Sequence, residues 1–241
     1  MPVSRFRFSG SFAGLPLLAA VLLLQTGCRP VRELPAAPAT APAVTVAVPP
    51  GYRRYRVVPA ESEVRALVYR SGPMAGLGHN HVLSSRSLEG EILLADSGTD
   101  ARVAFALPVA SFTVDQAKPR LEEGADFPGA VDEGAISGTR KNLLSEALLD
   151  ETHFPEIRLT SRNVTGRAPD FTVTVAIEVK GRTHELRVPV HVERRANELW
   201  ATGKLTATHA QLGLTPFTVM GGLLSVRDDI TLRFRIVAQP G

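Results

Sequence analysis

From Tyr52 onward, apolar and polar residues alternate with a period of two, the pattern of strands with one buried and one wet face. Glu63 to Tyr69 puts Val64, Ala66 and Val68 on one side and Glu63, Arg65, Leu67 and Tyr69 on the other. Arg102 to Leu107 sets Val103, Phe105 and Leu107 against Arg102, Ala104 and Ala106. Phe171 to Val179 alternates from Phe171 through Val173, Val175 and Ile177. After a turn at Gly181-Arg182, His184 to Val192 repeats the pattern, which predicts a hairpin. Leu199 to Thr208 and Val226 to Val237 read the same way, the latter with Ile230, Leu232, Phe234 and Ile236 inward. Weaker alternation at Arg53 to Val58, His79 to Leu88, Glu91 to Ala95 and Ile157 to Val164 brings the total to roughly eight to ten strands, enough for a barrel or sandwich. One segment departs from period two. Ser137 to Leu149 carries Leu143, Leu144, Ala147 and Leu148 at helical spacing, with Ser137 placed to cap it. Asp115 to Gly134 before it, rich in Pro, Gly and acidic residues, reads as a long loop.

The first 50 residues follow a different logic. Arg5 and Arg7 precede the ten-residue apolar stretch Leu15 to Leu24, the charge-then-hydrophobe order of a secretory signal. That stretch is short of the roughly 20 apolar residues that span a bilayer. Leu24-Gln25-Thr26-Gly27-Cys28 follows and resembles a bacterial lipoprotein cleavage site, with Gln25 where an aliphatic residue is usual. Residues 1–28 are therefore expected to be a signal peptide ending in a lipidated Cys28. A single cysteine in an exported chain forms no internal disulfide, which agrees with that role. Arg29 to Pro50 holds six prolines and six alanines in 22 residues. Such a segment extends without packing a core, so residues 29–50 read as a tether. The expected location is the periplasmic side of the cell envelope, at the outer membrane.

Composition narrows the chemistry. The formal charge of +3 comes from interspersed charges, with no run of five like residues and no aromatic-basic interleaving on any strand, so no nucleic-acid partner is expected. No GxSxG, no HExxH and no phosphate-binding glycine loop followed by Lys-Ser/Thr is present, and no catalytic residues or enzymatic activity are expected. The sharpest polar feature is Gly78-His79-Asn80-His81. In an extended strand His79 and His81 would share a face, with His209 the nearest third ligand in character for a metal. The Glu that completes a cupin-type site is absent, since Ser85 and Arg86 stand there. His79 and His81 are otherwise placed to bond loop carbonyls or touch a ligand head group.

Three segments in order resemble the YceI-like family of exported polyisoprenoid-binding proteins. Asn142-Leu143-Leu144-Ser145 through Leu149-Asp150, with His153-Phe154-Pro155-Glu156-Ile157 and Leu159-Thr160-Ser161, is similar to the family's helix, aromatic-Pro turn and following strand. Val179-Lys180-Gly181-Arg182-Thr183-His184-Glu185-Leu186 resembles its hairpin, and Leu212-Gly213-Leu214 through Val226-Arg227-Asp228 the segment before its last strand. Thr183-His184 stands where Thr-Lys-Pro is usual, and Gly78 to His81 lies outside the family pattern. The resemblance implies an all-β fold, a lipocalin-like antiparallel β-barrel of about eight strands over residues 51–241, with one helix near the opening and a tunnel for an isoprenoid chain. The expected ligand is apolar and amphiphilic, such as a polyisoprenoid or quinone, and no other cofactor is expected. Candidate lipid-lining residues are Phe105, Leu107, Leu143, Leu148, Val173, Leu205, Leu232 and Phe234. The expected partners are this small molecule and a membrane surface reached through the lipid anchor; a homodimer, a metal-binding protein or enzyme built on His79 and His81, and a ligand-free envelope scaffold stay open.

Overall fold

Alternation becomes strand along most of the chain. The structure, a computed structural model, describes residues 48–241; the signal segment, Cys28 and all but the last residues of the tether lie outside the described residues. The strands are β1 (Tyr52–Val57), β2 (Glu63–Ser71), β3 (His81–Ser85), β4 (Glu89–Ala95), β5 (Ala101–Pro108), β6 (Thr113–Val114), β7 (Glu156–Arg167), β8 (Asp170–Val179), β9 (Arg182–Arg195), β10 (Glu198–Thr208), β11 (Thr218–Val219) and β12 (Leu224–Pro240). Two α-helices, α1 (Ala117–Glu122) and α2 (Glu133–Leu144), lie between β6 and β7.

The pairings close an eight-strand antiparallel barrel. Its first three staves are each broken once. β1 and β2 both pair with β12, β4 and β3 pair with β1 and β2, and β5 and β6 pair with β4 and β3. The remaining staves β7, β8, β9, β10 and β12 follow in chain order and return to β1. The fold is thus an up-and-down meander with three bent walls.

Serines hold the bends together. A break in a ladder leaves buried backbone groups in need of partners. At the first break, a 3₁₀ turn at Pro59–Glu61, Ser62 donates its hydroxyl to the Val58 carbonyl at 2.9 Å and accepts the Val237 N–H at 3.0 Å. At the second and third, Ser85 and Ser111 share a hydrogen bond of 2.6 Å, and Ser111 also donates to the Pro108 carbonyl.

The structure departs from the sequence expectations in four places. The expected helix at Ser137 to Leu149 begins earlier, at Glu133, because Asp132 caps it by accepting the Ala135 N–H at 2.9 Å; Ser137 is inside the helix and exposed. It also ends earlier, at Leu144, and Leu148 and Leu149 lie in the turn that follows. The expected long loop at Asp115 to Gly134 contains α1 and is pinned by Phe127 and Val131, both buried. Phe127 covers the outer face of the barrel wall against Leu67, Val82 and Tyr69. The hairpin turn is Lys180-Gly181 rather than Gly181-Arg182, both residues having the positive φ of a type I′ turn. Lastly, the strand expected from His79 starts at His81, so His79 lies ahead of it.

Candidate ligand-binding site

The inward faces of the staves enclose a cavity of about 440 Å³ along the bore. That volume falls in the range of roughly 300–1,000 Å³ typical of small-molecule sites. All eight candidate residues line it: Phe105 and Leu107 from β5, Val173 from β8, Leu205 from β10, Leu232 and Phe234 from β12, Leu143 from α2 and Leu148 from the turn after it. The period-two reading is literal here. Val64, Ala66 and Val68 of β2 face the bore, while Leu67 and Tyr69 face outward under Phe127.

Most of the polar lining is at one end, with Asp100 of the β4–β5 turn at the other. Even-numbered and odd-numbered staves run in opposite directions, so the end of β2, the starts of β3, β7 and β12, and helix α2 meet at the same rim. Arg70, His79, His81, Thr139, Asn142, His209 and Ser225 line the cavity at that rim. Helix α2 forms part of the wall, with Thr139, Asn142 and Leu143 turned to the bore and Arg140 donating to the Phe112 and Ala110 carbonyls at 2.6 and 3.0 Å.

This architecture has relatives. A model of the YceI-like domain matches residues 55–238. The chain belongs to the YceI-like family. Among solved structures, it is similar to BcnA of Burkholderia cenocepacia, at 14% identity and a TM-score of 0.55, over 75% of this chain and 98% of that one. It is also similar to the YceI protein of Campylobacter jejuni, at 10% identity and a TM-score of 0.50, over 66% and 84% of the two chains. No curated protein matches it. At these identities the likeness supports the barrel and nothing finer.

Within this YceI-like barrel the mouth has its own chemistry. His81 Nδ1 lies 2.6 Å from Asp115 Oδ2, and its Nε2 lies 3.3 Å from Thr139 Oγ1. Asp115 sits where β6 ends, with φ of 53°, and its side chain is fully buried. Its Oδ1 accepts the Val82 N–H at 2.9 Å and Arg120 Nη1 at 2.6 Å. Burial alone would raise the Asp115 pKa. The hydrogen bonds from His81, Val82 and Arg120 outweigh it and hold the carboxyl below the usual carboxylate range. Arg120, itself buried, also donates to the Asn80, Pro128 and Gly129 carbonyls, so the cluster fastens the loop over β3 as well as the histidine.

The three histidines considered for a metal do not form one site. The rings of His79 and His81 stand 6.2 Å apart, His79 is exposed, and His81 is committed to Asp115. His209 is buried, with Nδ1 at 2.8 Å from the Asp228 carbonyl. Among the described residues no three His, Cys, Asp or Glu side chains are grouped to hold a metal ion. His153 and His191 pair with Asp150 and Asp170 away from the bore, and His184 packs its ring toward Gly213. Among the described residues, no helix is long and apolar enough to cross a membrane.

Nothing in the sequence marks Asp115, Arg120 or Thr139 as residues of the mouth. The one available signal was negative: in β3, His81 occupies an inward position of the alternation next to Leu83, and a polar side chain there needs a partner. Nothing in the sequence says which partner, because Asp115 is 34 residues away.

Proposed function

We propose that this YceI-like protein is a periplasmic carrier for an apolar, amphiphilic small molecule such as a polyisoprenoid or quinone, and that it performs no chemistry of its own. The observation that carries this reading is the largely aliphatic bore with most of its polar lining at one rim. A long apolar chain needs no special apparatus to bind there, since each buried methylene contributes roughly 0.8 kcal/mol. The polar rim suits the other end of such a molecule. A tether from Cys28 would keep the barrel within a few nanometres of the membrane that supplies the ligand, at about 3.1 Å per extended residue.

Native mass spectrometry of the protein purified from its own host tests the carrier reading. A lipid-sized adduct that is lost on organic extraction is expected. Protein that carries no lipid and takes up none from prenyl-lipid vesicles would remove the proposal. The anchor is tested separately: Cys28→Ser is expected to move the protein from the membrane fraction to the soluble periplasmic fraction.

A further inference from the structure

Six large apolar side chains stand exposed among the described residues, and four of them, Leu77, Phe217, Met220 and Leu223, gather on two loops at the α2 end of the barrel. The loops touch. The Met74 N–H donates to the Leu223 carbonyl at 2.9 Å, and Leu224 Cδ1 lies 3.0 Å from where a Cβ on Gly78 would sit. β11 pairs with the start of β12, which also pairs with Arg70 and Ser71 at the end of β2, so the wall continues beyond the barrel as a lip. The Val226 N–H closes it on the Phe217 carbonyl at 2.9 Å. No Asp, Glu, Lys or Arg occurs from Ser71 to Asn80 or from Gly213 to Val226. Phe217 and Leu224 also line the bore, so this uncharged lip is continuous with the cavity.

We propose that the lip is a docking surface for a lipid bilayer, on which the mouth seats so that an apolar ligand passes between membrane and bore without crossing water. A protein interface surrounds its apolar centre with a polar rim, whereas both loops are free of charged residues along their whole length. The flanking cations are few: Arg70 donates to the Gly78 carbonyl and Arg227 to the Asp229 carboxylate. Insertion of the apolar side chains, rather than charge, is therefore the expected attraction. The tether is long enough for this orientation. Tyr52 starts β1 at the end of the barrel opposite the lip, and Arg29 to Pro50, 22 residues, can extend to about 70 Å against about 56 Å for the 17-residue β12. The purpose of docking rests on the carrier reading; docking itself requires neither a ligand nor a lipid anchor.

The test is flotation of residues 28–241 carrying Cys28→Ser, which keep every strand and have no residue to acylate, with vesicles of phosphatidylcholine alone or mixed with phosphatidylglycerol. The protein is expected to float with both, at low and high salt. Leu77→Ser combined with Met220→Asn should lower the vesicle partition coefficient roughly tenfold or more. Asn suits the φ of 54° at position 220, and both side chains are exposed, so the barrel should melt as the parent does. Leu121→Ser is the control, since Leu121 is more exposed still but stands on α1, beside the Glu122 and Glu123 pairs with Arg65; it should float unchanged. Absence of flotation, or equal flotation by the double variant, overturns the docking surface. Flotation only with phosphatidylglycerol and lost in salt overturns it in favour of an electrostatic contact. Self-association in sedimentation that the double variant abolishes assigns the lip to a second copy of the chain instead. Because these vesicles hold no prenyl lipid, docking is scored apart from ligand uptake, and either reading can fail while the other stands.

Discussion

Ser62 has no access to water, yet its hydroxyl is the link between two backbone segments that a regular ladder would have joined directly. Ser62→Ala removes both bonds and leaves the Val237 N–H buried without its partner, which predicts a loss of about 1–3 kcal/mol in a denaturant melt. Ligand affinity should be unchanged, because Ser62 does not line the bore. Asp115 is a different case, since its contribution depends on pH. Its folded pKa is depressed, so its stabilisation is complete above the unfolded carboxylate pKa and is lost as pH falls through the lower folded value. Asp115→Asn leaves Arg120 buried without its counter-charge and should cost about 3 kcal/mol at neutral pH. The gap between the two proteins should close below the ordinary carboxylate range. Melts across pH 2–7 check this, and a gap independent of pH would refute it. Neither residue stood out in the sequence. A buried serine looks like any loop serine, and an Asp in an acidic, Pro-rich loop looks solvated until the fold brings His81 and Arg120 to it.

The strands were legible because burial on one face imposes period two, and β2, β5, β8, β9 and β12 all turn the expected side chains inward. Boundaries were less legible, being set by single groups. Asp132 starts α2, and Asp132→Ala should cost about 1 kcal/mol by removing the cap. A subtler boundary lies inside β9. The Val192 N–H donates to Pro169, so even-numbered donors of β9 point away from β10 and odd-numbered ones toward it. Pro189 is therefore a missing donor on the β10 side, and the regular β9–β10 ladder covers only His191–Arg195 against Glu198–Thr202. Gly203 lies at this fork, where an added Cβ would sit 2.4 Å from the Pro189 carbonyl oxygen and from the Phe234 ring. Gly203→Ala should thus destabilise by about 1–3 kcal/mol, the cost of overpacking, despite the general preference of strands for residues other than glycine. A thermal melt in which Gly203→Ala matches or exceeds the parent would show that the fork is not rigidly packed.

At the scale of the molecule, the inward residues were readable from the sequence but what they surround was not, because a filled barrel and a hollow one share the same alternation. The structure gives a cavity where a solid core was equally consistent with the pattern. That difference has a direct mutational signature. Ala66 is a small inward residue of β2, paired with Leu232 on one side and Leu83 on the other. In a close-packed interior, Ala66→Phe would overpack and cost about 1–3 kcal/mol or more. In an open bore the ring has space to occupy and gains apolar contacts, so stability should hold or rise. The same ring takes volume from the ligand, so the capacity for a long prenyl chain should fall while a shorter chain still binds. Measured together, an unchanged or higher Tm with weaker binding of a C20 prenol than of a C10 prenol identifies a hollow barrel used for binding. A lowered Tm with unchanged chain-length preference would mean that the interior is packed around Ala66 and that the ligand, if any, lies elsewhere.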